Sequence, residues 1–182
     1  WRRALFAWHL GDLKLLISGN VTPASQLLFR RKIQDRIRAV APFLRLDHDP
    51  YLTVSNGRLI WIQDAYTVSD MLLYARQIAP DGVNYIRNAV KVTVDAYDGI
   101  PTFYIADPQD PLVRTYQQIF PSLFRPLDQM PQALREHVRY PEDLFFLQAQ
   151  LYGAYHMTNP EVFYNREDLW SVPQEHNQGK LT

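Results

Sequence analysis

The sequence predicts an α+β domain, a mainly antiparallel sheet built from two hairpins with helices packed on it. Three observations carry that expectation. Residues 51–63 flank Asn56-Gly57, and residues 91–106, which alternate apolar and polar side chains, flank Asp98-Gly99; both dipeptides are turn pairs. On either side of these stretches the apolar period lengthens to that of amphipathic helices. The 182 residues are 47% apolar, enough for the core of one domain.

Phe6, Leu10, Leu13 and Ile17 form one stripe at helical spacing, so a helix is expected over 2–18, stopped by Gly19 and Asn20. Thr22 before Pro23 reads as an N-cap and first helical residue, opening a helix with Phe29, Ile33, Ile37 and Val40 on one face, and Pro42 ends it. In the first hairpin a two-residue loop at Asn56-Gly57 pairs Val54 with Leu59 and Leu52 with Trp61, and Thr53 with Ile60 and Tyr51 with Ile62. Both of its faces then carry large apolar groups, as in a strand covered on both sides. Residues 69–79 are expected to form a short helix capped by Ser69 or Asp70 and broken by Pro80, Asp81 and Gly82.

In the second hairpin a loop at Asp98-Gly99 pairs Val94 with Phe103, Val92 with Ile105, Asp95 with Thr102 and Thr93 with Tyr104. Apolar parity then agrees across both strands. Asp98 becomes turn chemistry and Asp95 an outward polar residue. Asp107 and Asp110 each precede a proline and cap the helix that follows. Further helices are expected from Pro131, from Pro141 and from Asn159-Pro160. The one from Pro141 carries no charge between Asp143 and Met157, which predicts burial round much of its circumference.

The composition bounds the function classes. No run reaches the roughly 18 apolar residues of a membrane span, and the opening WRRALFAWHL lacks the form of a cleaved signal. A chain that opens on Trp1 is expected to be a piece of a longer protein, with 1–173 a single soluble domain and 174–182 a disordered tail. The absence of cysteine excludes thiolate nucleophiles and Cys-ligated zinc. A net charge of zero argues against nucleic acid as the main partner. Charge is nonetheless segregated. Residues 1–45 hold nine basic and two acidic side chains, a net of +7, and the remainder ten and seventeen, a net of −7.

Phosphate-loop, dinucleotide, nucleophile-elbow, zinc-protease and EF-hand motifs do not occur, and no cofactor is expected. Four weaker constellations remain. Asp47-His48-Asp49 offers ligand types suited to a divalent metal, although alternation along an extended segment turns His48 away from the two acids. The plainer reading is a polar loop before Pro50. His156 becomes a general base if it meets Asp64 or Asp95 across the core, and is otherwise a hydrogen-bonded structural histidine. Glu142 and Asp143 form a catalytic pair or, more simply, the acids that a helix dipole favours in a first turn. The run at 29–38 carries Arg30, Arg31, Lys32, Arg36 and Arg38 on one expected helix, a candidate contact for anionic lipid or a partner, or a solvated face. Asp47, His48, Asp64, Asp95 and His156 are the polar residues whose convergence in a cleft would signal catalysis.

The blocks RRKIQDRIRAVAPFLRLDHDPYLTV, GRLIWIQDAYTVSD, VNYIRNAVKVTVDAYDG, TFYIADPQDPLVRTYQQIFP, LREHVRYPEDLF and YHMTNPEVFYNREDLW, in that order, resemble uncharacterised protein family 0182. It is a group of long bacterial and cyanobacterial integral membrane proteins without an assigned activity. The resemblance runs from about Leu5 to Pro173, with 71–82 outside it. It implies spanning helices followed by a large soluble region to which this chain belongs, with other segments of the same full-length membrane protein, the membrane surface or an envelope protein as partners. It also implies an extracytoplasmic position, and supplies no catalytic residue. The expected function is therefore a non-enzymatic interaction module. The alternatives are a hydrolase or transferase acting on an envelope polymer or lipid through dispersed Asp, Glu and His, and anionic-lipid binding through the basic run.

Overall fold

The computed structural model describes residues 1–25, 30–78 and 81–173, and the backbone of 176–177 and 180–181. The chain forms two compact units, residues 1–30 and 31–182. In the first, α1 (Arg2–Leu10) ends at Gly11, whose φ of 66° is left-handed, and α2 (Lys14–Ile17) follows. The single helix expected over 2–18 is thus broken in two. Asp12 accepts the N–H of Lys14 at 2.9 Å and starts the second piece. The Arg3 guanidinium donates to the carbonyls of Leu15, Leu16 and Ser18 and closes it.

The helix expected from Thr22 is also corrected. Thr22 and Pro23 sit in a turn, where the Thr22 N–H donates to Ser25 Oγ at 3.0 Å. Phe29 lies outside the described residues, and α3 (Ile33–Val40) begins only at Ile33.

The second unit is built on a sheet of β1 (Arg45–Leu46), β2 (Tyr51–Ser55), β3 (Arg58–Ser69), β4 (Tyr85–Asp95), β5 (Pro101–Ile105) and β6 (Phe124–Pro126). Its order is β1-β3-β4-β5-β6, with β2 also paired to β3. Every pairing is antiparallel except β5 with β6, whose parallel register needs a crossover, and α4 (Pro111–Ile119) supplies it. The rest is helical: a 3-10 turn at Leu127–Gln129, α5 (Gln132–Arg135), α6 (Glu142–Tyr155) and α7 (Pro160–Asn165). β7 (His176–Asn177) pairs with β8 (Lys180–Leu181). The remaining residues of the expected disordered tail, 174–175, 178–179 and 182, lie outside those described.

The first hairpin has the expected register, Val54 opposite Leu59 and Tyr51 opposite Ile62, with Asn56 at φ 51° and Gly57 at φ 74° as a type I′ loop requires. Its expected burial is corrected. Thr53 and Ser55 are buried, whereas Leu52 and Val54 face solvent. Of the apolar residues on their face of the sheet, Trp61 packs against the main core, and Leu52 and Val54 lie beyond it.

The second hairpin forms, but its register is displaced by two residues. Val92 lies opposite Phe103 and Val94 opposite Pro101. Asp95 Oδ1 accepts the N–H groups of Tyr97 and Asp98, and the Gly99 N–H returns to the Asp95 carbonyl at 2.8 Å, so four residues make the loop. A shift of two keeps every side chain on its expected face.

Residues 69–78 form no helix. β3 runs on through Ser69, and the Asn84 side chain occupies both the N–H and the carbonyl of Leu72, groups that a helical turn would use. Ala79 and Pro80 lie outside the described residues.

One face of the sheet carries the main apolar core. Val90, Val92, Val94, Phe103 and Ile105 pack under Ile37 of α3 and Val113 of α4. Asp110 caps α4 as expected, accepting the Val113 N–H at 2.7 Å. Its carboxylate is buried and also takes the hydroxyls of Thr67 and Tyr85. The other face has a smaller cluster of Tyr104, Met130 and Leu134. Here α6 departs most from expectation. Among its residues only Gly153 is buried, and Phe145, Phe146, Tyr152 and Tyr155 are exposed.

Candidate functional site

The second face of the sheet holds a polar seam running from the loop after β1 to the start of α6. Pro141, at the N-cap of α6, has no side chain to satisfy the first N–H groups. The buried Asp47 does so from a distant part of the chain, accepting the Asp143 N–H on Oδ2 at 3.1 Å. Negative charge there also complements the helix dipole. Asp143 answers in kind, accepting the His48 N–H at 3.0 Å and lying 2.5 Å from His48 Nδ1. The two segments therefore cap each other.

Behind this clasp the Tyr66 hydroxyl donates to Asp47 Oδ2, and the Asp49 N–H donates to Oδ1. Deeper still, Asp64 and Lys91 form a buried ion pair, 2% and 5% exposed. Asn88, beside a bulge between Ala65 and Thr67, also donates to Asp64 Oδ1. The Lys91 ammonium donates to the carbonyl of Arg139 at 3.2 Å. The guanidinium of Arg139 pairs with Asp49 and lies 4.0 Å from the centre of the Tyr51 ring. Gln63 donates to the carbonyls of Asp47 and Asp64.

The electrostatics follow from burial and neighbours. Loss of water raises the Asp64 carboxyl above its usual range, with the Lys91 charge pulling the other way. Burial and the Asp47 bond push the Tyr66 phenol up, and burial does the same to Tyr51. The hydrogen bond to Asp143 raises His48, helped by the charges of Asp143, Asp47 and Glu142.

Three of the five sequence-chosen residues therefore share one region: Asp47, His48 and Asp64. Asp95 lies at the β4 turn, paired with Arg58 at 2.8 Å, a contact that holds its carboxyl down at about 2. His156 meets neither Asp64 nor Asp95. Its Nε2 is 3.2 Å from Asp168, and its ring stacks on Trp170 with centroids 3.9 Å apart. Nor do Asp47 and Asp49 converge with His48 turned away. Asp49 turns to Arg139, and His48 faces Asp143.

Asp47, His48 and Asp143 offer potential metal-ligand atoms within 4.8 Å of one another. Those atoms are engaged in the clasp itself, so the arrangement is accounted for by hydrogen bonding. The roles of Tyr66, Lys91, Arg139 and Asp143 were not legible in the sequence beforehand, because their partners lie 19, 27, 90 and 95 positions away.

The basic run does not form one helical face. Arg36 and Arg38 lie on α3, whereas Arg31 and Lys32 precede it and Arg30 has a left-handed φ of 54°. Arg36 donates to the Gly99 carbonyl at 2.7 Å, and Arg38 lies 3.5 Å from Asp35.

A second feature is a groove of about 850 Å³ between residues 76–78, α6 and the segment after α7. Leu147, Leu151 and Ala154 form one wall and Phe163, Leu169 and Trp170 the other, with Arg76 and Arg166 also lining it.

The model of the uncharacterised protein family (UPF0182) matches residues 1–181. A UPF0182 protein of Cupriavidus necator is 59% identical over 174 residues, covering 96% of this chain and 19% of that protein. A UPF0182 protein of Synechococcus is 53% identical over 173 residues, with 95% and 20% covered. One from Bradyrhizobium diazoefficiens is 54% identical over 177 residues, with 97% and 19% covered. The chain spans about a fifth of the length of the curated relatives it matches. No solved structure matches it.

Proposed function

We propose that this chain, which belongs to the uncharacterised protein family UPF0182, is a non-enzymatic docking module whose α6 surface receives other segments of its own full-length polypeptide. One observation carries the reading. Beyond Asp143, α6 has no charged side chain, yet Phe145, Phe146 and Tyr152 stand in solvent, a composition expected of a surface that another element covers. The covering element is taken to be the same polypeptide because relatives are about five times as long. The polar seam supports it from behind. Asp47 and His48 hold the start of α6 against the sheet through Asp143, which presents the exposed face on a fixed base.

The test is a photo-crosslinking amino acid at position 146 of the full-length protein in its native membrane. Cross-links to peptides of the same polypeptide outside this domain are expected. If a cysteine at 146 reacts with a soluble maleimide as fully as one at the exposed Gln109, the reading is lost. Attachment of the whole protein to the cell membrane, with this domain outside the cytoplasm, is part of the same proposal and rests on the family likeness. No helix among the described residues is long and apolar enough to cross a membrane. Protease added to intact cells should cleave within this domain; full protection there and cleavage only after lysis would place it inside.

A hydrolase or transferase acting on an envelope polymer or lipid is the weaker reading. It draws on the proximity of Asp47, His48 and Asp64. Asp47 and Asp64 are each committed to a neighbour, and His48 holds Asp143 through Nδ1.

A further inference from the structure

Residues 71–74, Met-Leu-Leu-Tyr, form an apolar tip with no counterpart in the seam or the sheet. Met71 is 83% exposed, Leu73 81% and Tyr74 wholly exposed. The tip is held in place. Ser69 Oγ accepts the Met71 N–H at 3.1 Å, and Asn84 grips Leu72 through both backbone groups. Tyr74 is kept at φ 62°, a left-handed conformation unfavourable for a residue with a Cβ. Four apolar residues fixed in this way and offered to water are out of keeping with a loop that has no contact to make.

The chain runs from the tip directly into the groove. Arg76, two residues on, lines the groove with Arg166, and no carboxylate is among the described residues that line it. Neither guanidinium is paired with a carboxylate among the described residues. The acids nearest in sequence to Arg76 are Asp70, at the other foot of the tip, and Asp81, which is occupied by Arg45 at 2.9 Å; those nearest to Arg166 are Glu167, which accepts from Asn165, and Asp168, which is bonded to His156 and Trp170. The volume of about 850 Å³ falls within the roughly 300–1,000 Å³ of small-ligand sites.

We infer that residues 71–74 insert into an anionic lipid surface and set the groove mouth against it, so that the groove takes the acyl chain of an anionic lipid while Arg76 and Arg166 meet its headgroup. Met71, Leu73 and Tyr74 supply the apolar contact, and Arg76 extends from the inserted tip to the phosphate level, as long cationic side chains do at membrane interfaces. This site uses different side chains from the Phe145, Phe146 and Tyr152 surface, so either assignment can fail alone.

Flotation of the 182-residue chain with phosphatidylcholine vesicles, with and without phosphatidylglycerol, tests the inference. The wild-type chain should float with the mixed vesicles. Met71→Asp with Leu73→Asp should weaken partitioning about 100-fold, because two buried apolar side chains are lost, and unchanged flotation would overturn the role of the tip. Arg76→Gln with Arg166→Gln should cut the preference for the anionic vesicles about tenfold; a preserved preference would remove the headgroup contact. Free dansyl-labelled fatty acid separates the groove from the surface. Ala154→Trp should float as the wild type does but bind the fatty acid at least about tenfold more weakly, and equal binding by the two proteins would leave the groove without its assigned occupant. All of these positions except Ala154 are exposed, and circular dichroism of each variant shows whether the fold persists.

Discussion

The seam beneath α6 and the outer surface of α6 invert the usual distribution of residue types, in opposite senses. Asp47, Asp64 and Lys91 are buried, whereas Phe145, Phe146 and Tyr152 are in solvent. The seam is closed because each buried charge has a partner within the described residues. Among the described residues the outer surface has no partner of comparable extent. The difference separates two kinds of contact: completed polar ones fix the scaffold, and uncompleted apolar ones are the ones to which the proposal assigns binding.

The sharpest way to break the comparison is Lys91→Met, which strands the Asp64 carboxylate beside Asn88 alone. It should lower stability by about 3–5 kcal/mol in urea unfolding. Lys91→Met combined with Asp64→Leu should recover most of the loss, since an apolar pair of similar volume needs no partner. A single variant as stable as the wild type would mean that the seam is wetter than described.

Asp110→Ala should be next, at about 2–3 kcal/mol, because it removes the cap of α4 and leaves the hydroxyls of Thr67 and Tyr85 without their acceptor. Here pH sharpens the point. Burial and the Asp110 bond push Tyr85 up to about 12, so its contribution is complete below the ordinary phenol value of 10.0 and is lost as pH rises through about 12. Spectrophotometric titration of the wild type against Tyr85→Phe reads that ionisation directly.

Smaller effects belong to the exposed ion pairs. Asp95 is held at about 2 by Arg58, so its contribution is present above the ordinary 3.8 and disappears as pH falls through about 2. His48 runs the other way. Its raised pKa means stability that is complete below 6.5 and lost as pH climbs through the folded value. With His48 largely exposed, the midpoint shift on His48→Ala between acid and neutral pH should be slight. Last, Phe145→Ser should change stability by no more than about 0.5 kcal/mol while weakening the cross-link formed from position 146.

The two hairpins show how far the fold was legible in the sequence. Asn56-Gly57 fixed a register because both residues take positive φ and no neighbouring side chain competes. At Asp98-Gly99 only Gly99 takes positive φ, and Asp95 folds its carboxylate into the loop, lengthening it to four residues. Dipeptide chemistry predicts a loop only where side chains nearby leave the backbone alone. Parity survived, so the faces of β4 and β5 were correct although the pairing was not. The charge-free run of α6 indicated that its surface must be covered, but the sequence does not say whether the cover belongs to this domain. The seam was the least legible part. Asp47 and His48 were visible as a motif, yet their partners at 66 and 143 come from a strand two elements on and from a helix start near the other end of the chain.

Gly153 carries one further consequence. A Cβ there would lie 2.5 Å from the carbonyl oxygen of Trp170, so the missing side chain is the notch through which the stretch after α7 crosses the helix, anchored by the Trp170 N–H on the Gly153 carbonyl at 3.1 Å. The crossing brings the Trp170 indole face to face with the His156 imidazole. The domain thus contains its own optical gauge: the imidazole stacked on the indole perturbs its emission, so departure of the crossing strap registers as a change in tryptophan fluorescence.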